Sequence, residues 1–427
     1  MLTAIDVTGP VPPTRRATIW ILSAGLALRL LVLWTVIKNY PPTWLYNRGM
    51  EMGWLAKSLV DGIGLSSPFG VPTGPSAFVA PGYPILVAGV FKAFGSYSQT
   101  SAIFILCVQL ALNLVTVWLM MGIARNLFDQ RVAEVAGWVW SCSPPLLWMP
   151  TIFWDTSMAI CMMVGLFGLV LHLQGKTTWL SWIYLGTCCA LIAFLNPAMI
   201  LLVASMVAWL GWQSRRLQPY GVPIAALTFC IVFSPWPIRN ARVFHAFIPL
   251  RTTVGFELWV GNHHGATGFL DESLFPAFNK TELDDYKVRG EVGYTTHKSE
   301  LASLYIFTHP RSFFHLTILR FIRYWSGKGS KGGSPVFAIH AILTSAFGFL
   351  GLWKLYRQRR SNLVVLFGLP FLLFPLPYYN THAEFRYRLA LDPLLTILAA
   401  YAVVNFFCVR PVSAQAGLTQ SGQVLHG

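Results

Sequence analysis

Apolar runs long enough to enter a bilayer recur along this chain, beginning with "ATIWILSAGLALRLLVLWTVI" directly after Arg15 and Arg16. Backbone in hydrocarbon must satisfy its own hydrogen bonds, so repeated runs of this kind call for a bundle of helices. Further runs cover residues 101–123, 132–150, 156–173, 179–195, 197–212, 221–237, 334–355, 363–377 and 390–408, giving about ten spans in all. With 55% hydrophobic and 11% charged residues, the composition fits no ordinary soluble domain. The expectation is an all-α polytopic membrane protein, a single membrane-embedded domain over 1–427. The first run is long and no small-residue cleavage site follows it, so it reads as an uncleaved span.

Thirty-one Lys and Arg against sixteen Asp and Glu give a net charge of +15, which in a soluble chain would raise the question of nucleic acid. Here many of the cations sit in short turns between apolar runs, so no nucleic-acid partner is expected. With a cytoplasmic N-terminus, the turns at Arg125 to Arg131, Lys176, Arg215 with Arg216, "RQRR" at 357–360 and Arg410 all fall inside, as the positive-inside rule requires. The other side then receives residues 38–100, residues 239–333 and the stretch "NTHAEFRYR" at 380–388. Chemistry is to be sought on that outer face. Cys107, Cys142, Cys161, Cys188, Cys189, Cys230 and Cys408 lie in or beside apolar runs and suggest neither a disulfide framework nor a CxxC metal site.

In the first outer loop, Met52, Leu55, Ala56 and Leu59 recur at helical spacing and predict an amphipathic helix on the bilayer surface, with Glu51 facing away from the stripe. A carboxylate in a partly dry cleft can act as general base toward an acceptor hydroxyl or amine. Glu51 can equally form an ion pair with Arg48, three residues earlier. Lys57 and Asp61 suit a structural i,i+4 pair, and a second juxtamembrane helix is predicted at 84–94 after a Gly- and Pro-rich loop. Asp155, the acid of the second outer turn "PTIFWDTSMAI", could meet Glu51 across the bundle mouth or cap the helix that follows.

The large loop opens with "SPWPIRNARVF", where Arg239 and Arg242 could grip a phosphate at headgroup level or merely snorkel. His263 and His264 are adjacent, which is no established zinc-ligand spacing. "ELDDYK" reads as a solvated helix face, and Arg320, Arg323, Lys328 and Lys331 could contact an anionic lipid head. In "NTHAEFRYR", extended chain would put His382, Glu384, Arg386 and Arg388 on one side; a helix would stack His382 over Arg386 and Glu384 over Arg388. Guanidinium forks suit phosphate oxygens, and one glutamate can neutralise only one of two arginines. The alternative is a Glu–Arg bridge that closes the bundle.

With "NRGMEMGWLAKSLVDGIGLSSPF", "APGYPILVAGVFKAFG", "SPWPIRNARVF", "ELWVGN" and "HAEFRYRLALDPLL" in that order, the chain resembles the bacterial membrane glycosyltransferases of the GT-C fold, the family related to protein mannosyltransferases and the aminoarabinose transferase. The resemblance implies a GT-C-like bundle with juxtamembrane helices and extracytoplasmic loops. It also implies transfer of a sugar from a polyprenyl-phosphate donor to a glycan, lipid or protein acceptor at the periplasmic face of a bacterial inner membrane. Glu51 matches the place of the loop-one base and Asp155 that of the acid often found in the second outer loop. Arg239, His382, Glu384, Arg386 and Arg388 are then the candidates for holding lipid phosphate and substrate. Many relatives carry an Asp, or an Asp-Glu pair, early in loop one, whereas this chain has a single Glu within "GMEMGW". No cofactor is firmly implied; a divalent metal ion stays open, although one carboxylate per loop is few for a hard cation. The rival classes are a lipid or glycan flippase, which would show ionisable groups along its spans beyond Arg29, and a noncatalytic assembly subunit.

Overall fold

The computed structural model describes residues 15–41, 50–328 and 334–407. Arg48, Lys331, Cys408 and Arg410 lie outside the described residues. The helices of eight residues or more are α1 (Arg15–Asn39), α2 (Met50–Val60), α3 (Gly82–Phe94), α4 (Gln99–Leu127), α5 (Gln130–Cys142), α6 (Thr156–Leu173), α7 (Trp179–Leu195) and α8 (Ile200–Ser214). They continue with α9 (Gly221–Phe233), α10 (Pro235–Phe244), α11 (Val254–Gly261), α12 (Lys280–Thr308), α13 (Pro310–Ser326), α14 (Pro335–Arg357), α15 (Ser361–Leu373) and α16 (Asp392–Phe407). Single turns at Leu376–Asn380 and Phe385–Arg388 link α15 to α16. The protein is an all-α polytopic membrane protein.

Among the described residues, six helical segments are long and apolar enough to cross a membrane: α1, α4, α6, Pro197–Ser214, α14 and Ser361–Asn380. The pair α9–α10, bent by 45° between Phe233 and Pro235, brings the number to seven, and α3, α7 and α16 are shorter apolar helices. The expected count of about ten therefore holds only approximately. The run 132–150 is divided, because α5 ends at Cys142 and Pro144 and Pro145 start a separate turn. Asn196 marks the break between α7 and the next span by accepting a hydrogen bond from Ala198 N–H at 3.1 Å.

Small residues let the helices close on one another, as dense packing inside a bilayer requires. A Cβ at Gly351 of α14 would meet the Leu398 carbonyl of α16, and one at Gly186 of α7 would meet that of Ala225 on α9. The main core runs through α4, α5, α6, α8, α14, α15 and α16. A charge is buried there too: Arg29 of α1, 0% exposed, bonds to the Asn113 side chain and to the carbonyls of Gly25 and Ser141. A satellite core of Phe69, Phe78, Phe256, Val260, Tyr286 and Tyr294 ties the first outer loop to α11 and α12.

Candidate functional site

Helix α2 forms as predicted, with Leu55 and Ala56 buried against the bundle. Glu51, in its first turn, opens into a cavity of ≈ 210 Å³. The lining comes from segments far apart in sequence: Glu51, Phe78 to Ala80, Trp154 to Thr156, Asn196 to Met199, Arg251, Thr253, Val254 and Glu257, and Tyr378 to Tyr387 in part. Asn196 follows the last residue of α7, Asp155 precedes the first of α6, and Pro377 lies just beyond α15. The cavity thus sits among helix ends, at one mouth of the bundle.

Asp155 occupies the residue before α6, yet its side chain makes no capping bond to that helix. It opens into the cavity instead. Burial pushes its carboxyl up to about 6, with the charges of Arg386 and Arg251 and a hydrogen bond from Asn196 pulling the other way. Burial likewise raises Glu51 above the usual carboxylate range, offset in part by Arg386. A base whose proton affinity is raised toward neutrality is better matched to proton transfer than an ordinary exposed carboxylate.

Neither simple reading of "NTHAEFRYR" survives. Glu384 is extended (φ −119°, ψ 148°) and a single helical turn follows, so Arg386 and Arg388 diverge. The Arg386 guanidinium lies 3.8 Å over the Trp154 ring and donates to Tyr387 Oη at 3.1 Å, and the residue lines the cavity. Stacking of this kind contributes about 0.5–2 kcal/mol and fixes the plane of the fork. Arg388, 0% exposed, is spent elsewhere: it donates to Asp392 Oδ1 at 2.9 and 2.6 Å, to the carbonyls of Trp325 and Ala341, and to Ser345 Oγ and Thr344 Oγ1. Its expected place at a lipid phosphate is therefore not where the fold puts it.

His382 is 1% exposed, with Nε2 2.8 Å from Tyr387 Oη and Nδ1 3.5 Å from Glu257 Oε2. Because Arg386 donates to the tyrosine oxygen, the phenol proton is free for His382 Nε2, which leaves Nδ1–H facing Glu257. Burial lowers the imidazole to about 4, Glu257 opposing and Arg386 assisting, so the ring is neutral at pH 7. It lines the cavity and shares Tyr387 Oη with Arg386. Glu384 is half-buried and absent from the cavity lining; burial raises its carboxyl and Arg386 opposes that.

Arg239 departs from its expected place as well. It donates to the carbonyls of Ser76 at 2.8 Å and Leu65 at 2.9 Å, bracing the first outer loop rather than lining the cavity. Arg320 is 0% exposed and bonded to the carbonyls of Gly261, Tyr379 and Asn380, so it is no lipid-facing cation. In "ELDDYK", Glu282 is not a solvated face but receives Tyr294 Oη at 2.7 Å and pairs with Lys298 at 2.6 Å. Lys57 and Asp61 do form their i,i+4 pair.

Arg251 and Glu257 line the cavity and escaped the reading of the sequence. Glu257 lies within "ELWVGN", where an acid in an otherwise apolar helix was the available signal; Arg251 in "IPLRTTVG" offers none. Among the described residues no group of three or more His, Cys, Asp or Glu is arranged to hold a metal ion.

The solved structures similar to this fold include the Archaeoglobus fulgidus oligosaccharyltransferase in its apo form, at 13% identity and a TM-score of 0.55, covering 92% of this chain and 50% of that one. The same protein in complex with Zn and sulfate aligns at 14% identity and a TM-score of 0.50, covering 91% and 49%. ArnT from Cupriavidus metallidurans bound to undecaprenyl phosphate aligns at 14% identity over 90% of this chain and 78% of that one, with a TM-score of 0.38. The chain spans about half the length of the archaeal oligosaccharyltransferases it matches. Its architecture is the GT-C fold of membrane glycosyltransferases. Within it, residues 78–238 match the family model of the dolichyl-phosphate-mannose-protein mannosyltransferases, a span that contains Trp154, Asp155 and Asn196. No curated protein sequence matches the chain.

Proposed function

We propose that the protein is a glycosyltransferase that moves a sugar from a polyprenyl-phosphate donor to an acceptor hydroxyl or amine at the periplasmic face of a bacterial inner membrane. The observation that carries this reading is that Glu51, Asp155, Arg251 and Arg386 open into one cavity at a mouth of the bundle. The Glu51 carboxylate takes the acceptor proton while the acceptor oxygen or nitrogen attacks the anomeric carbon. The carbon–oxygen bond to phosphate breaks, and its electron pair passes to the phosphate oxygen. Arg386 and Arg251 hold the charge that grows there, an interaction whose value rises as the bond breaks. Lipid phosphate leaves readily, so no separate general acid is needed. Asp155 keeps Arg386 and Arg251 aimed into the cavity.

A flippase would need ionisable groups along its path. Two buried cations among the described residues are already engaged: Arg29 by the Asn113 amide and the carbonyls of Gly25 and Ser141, and Arg388 by Asp392. The deciding experiment supplies the full chain, reconstituted in vesicles, with a panel of undecaprenyl-phosphate sugars and membrane glycolipid acceptors. Transfer that falls ~10²–10⁴-fold in Glu51→Gln, at unchanged folding, supports the reading. Undiminished turnover in that variant rejects Glu51 as base.

A further inference from the structure

The walls of the cavity are fastened by residues outside it. Glu291 of α12 is 4% exposed and points into the junction between the two outer loops. Its Oε1 accepts from Ala77 N–H at 2.7 Å and from Thr252 Oγ1 at 2.8 Å, and its Oε2 accepts from Tyr286 Oη at 2.7 Å. On the other side of the same loop, Arg239 donates to the Ser76 carbonyl at 2.8 Å and the Leu65 carbonyl at 2.9 Å. Thr252 N–H closes the junction on the Ala77 carbonyl at 3.1 Å, and Ser76 N–H on that of Leu65 at 2.9 Å. All four backbone polar groups of Ser76 and Ala77 are thereby engaged.

Sequence neighbours make this arrangement consequential. Ala77 leads directly into Phe78, Val79 and Ala80, and Thr252 sits between Arg251 and Thr253; all five of these flanking residues line the cavity. A buried carboxylate is expensive to desolvate unless donors surround it, and here three donors converge from three segments. Helix α12 is interrupted one residue earlier, where Gly290 adopts φ 69° and ψ 169°, a conformation that a side chain would strain. Glu51, Asp155 and Arg386 lie on segments to which Glu291 makes none of these bonds.

We infer that Glu291 and Arg239 form a two-sided clamp that positions Arg251 and the Phe78–Ala80 wall for the lipid phosphate, an inference that rests on the phosphate-binding reading above. Glu291 is then a positioning residue for donor binding rather than a participant in proton transfer.

The test measures binding of undecaprenyl phosphate to the full chain in nanodiscs. Arg251→Ala weakens binding about tenfold, and Glu291→Ala does so by a similar factor. Glu291→Gln stays within about threefold of wild type, since its amide oxygen still accepts from Ala77 and Thr252. The double variant is no weaker than Arg251→Ala alone, because both changes act on one interaction. A folded Glu291→Ala that binds as wild type does, or losses that multiply in the double variant, overturn the clamp. If Glu291→Ala does not fold, Thr252→Val removes one of the three bonds and is judged on the same scale. If wild type itself fails to bind, the phosphate reading falls, and amide exchange at residues 76–80 and 251–254 judges the clamp without ligand. Faster exchange there in Glu291→Ala upholds it, and unchanged exchange rejects it.

Discussion

Arg386 and Arg388 are two residues apart and chemically identical, yet they belong to different economies of the molecule. Arg388 has Nε and both terminal nitrogens engaged, by Asp392, two hydroxyls and two carbonyls in the seam between α13, α14 and α16. Arg386 rests on the Trp154 ring and on Tyr387, ring and phenol oxygen, in a cavity shared with Glu51 and Asp155. The lesson is that the task of a buried arginine is read from its uncommitted donors, not from its charge or its place in a motif. A saturated guanidinium holds helices together; one with donors to spare can take an anion.

The sharpest way to break this comparison is to substitute each arginine with Met. Arg388→Met leaves the buried Asp392 with only His340 Nε2, 3.4 Å away, beside it, a loss of about 3–5 kcal/mol that should appear as collapsed yield or a large fall in Tm. Arg386→Met should retain the fold and lower kcat/KM about 10²–10³-fold, the scale of losing one transition-state donor. Equal losses of stability in both variants would erase the distinction. A smaller effect sharpens the cavity side. With Asp155 pushed up to about 6, transfer should rise with pH through an acid limb near that value, as the ionised carboxylate comes to hold Arg386 and Arg251. Asp155→Asn should move or remove that limb, and an unchanged profile assigns it to another group.

His382 offers a further test, through stability. Its imidazole is lowered to about 4 by burial, whereas the unfolded chain takes up the proton near the ordinary value of about 6.5. As pH falls from 6.5 to 4 the unfolded state binds the extra proton first, so the native state loses stability across that window. His382→Gln should show a smaller drop in Tm between pH 7.5 and 4.5 than wild type. The smallest effect belongs to the exposed pair of Lys57 and Asp61: Lys57→Ala should change stability by no more than about 0.5 kcal/mol and leave transfer intact.

Much of the architecture was legible because hydrocarbon imposes length and apolarity, and α4, α6 and α14 fall where those constraints put them, while α2 and α3 form where helical spacing and the Gly- and Pro-rich loop predict them. Glu51, Asp155 and Arg386 could be singled out because polar groups at the ends of apolar runs are few. Arg239 and Arg388 could not be sorted from Arg386 in the sequence, since the carbonyls that claim them come from elements 47 to 174 residues away, while the carboxylate of Asp392, four residues beyond Arg388, sits at the start of what reads as the last apolar run. Arg251 was invisible, and Glu257 showed only as an acid in an apolar helix, for a related reason: only the folding of the large loop against Ala77 brings them to the mouth of the bundle.

Arg29 carries a consequence for how the protein is made. Its partners Asn113 and Ser141 lie 84 and 112 residues further along the chain. During synthesis α1 meets lipid before either exists, at a cost of about 2.5–3.5 kcal/mol for a cation at the centre of a lone span. Helix α1 is therefore seated only once α4 and α5 have been made, and its docking reports that both have arrived.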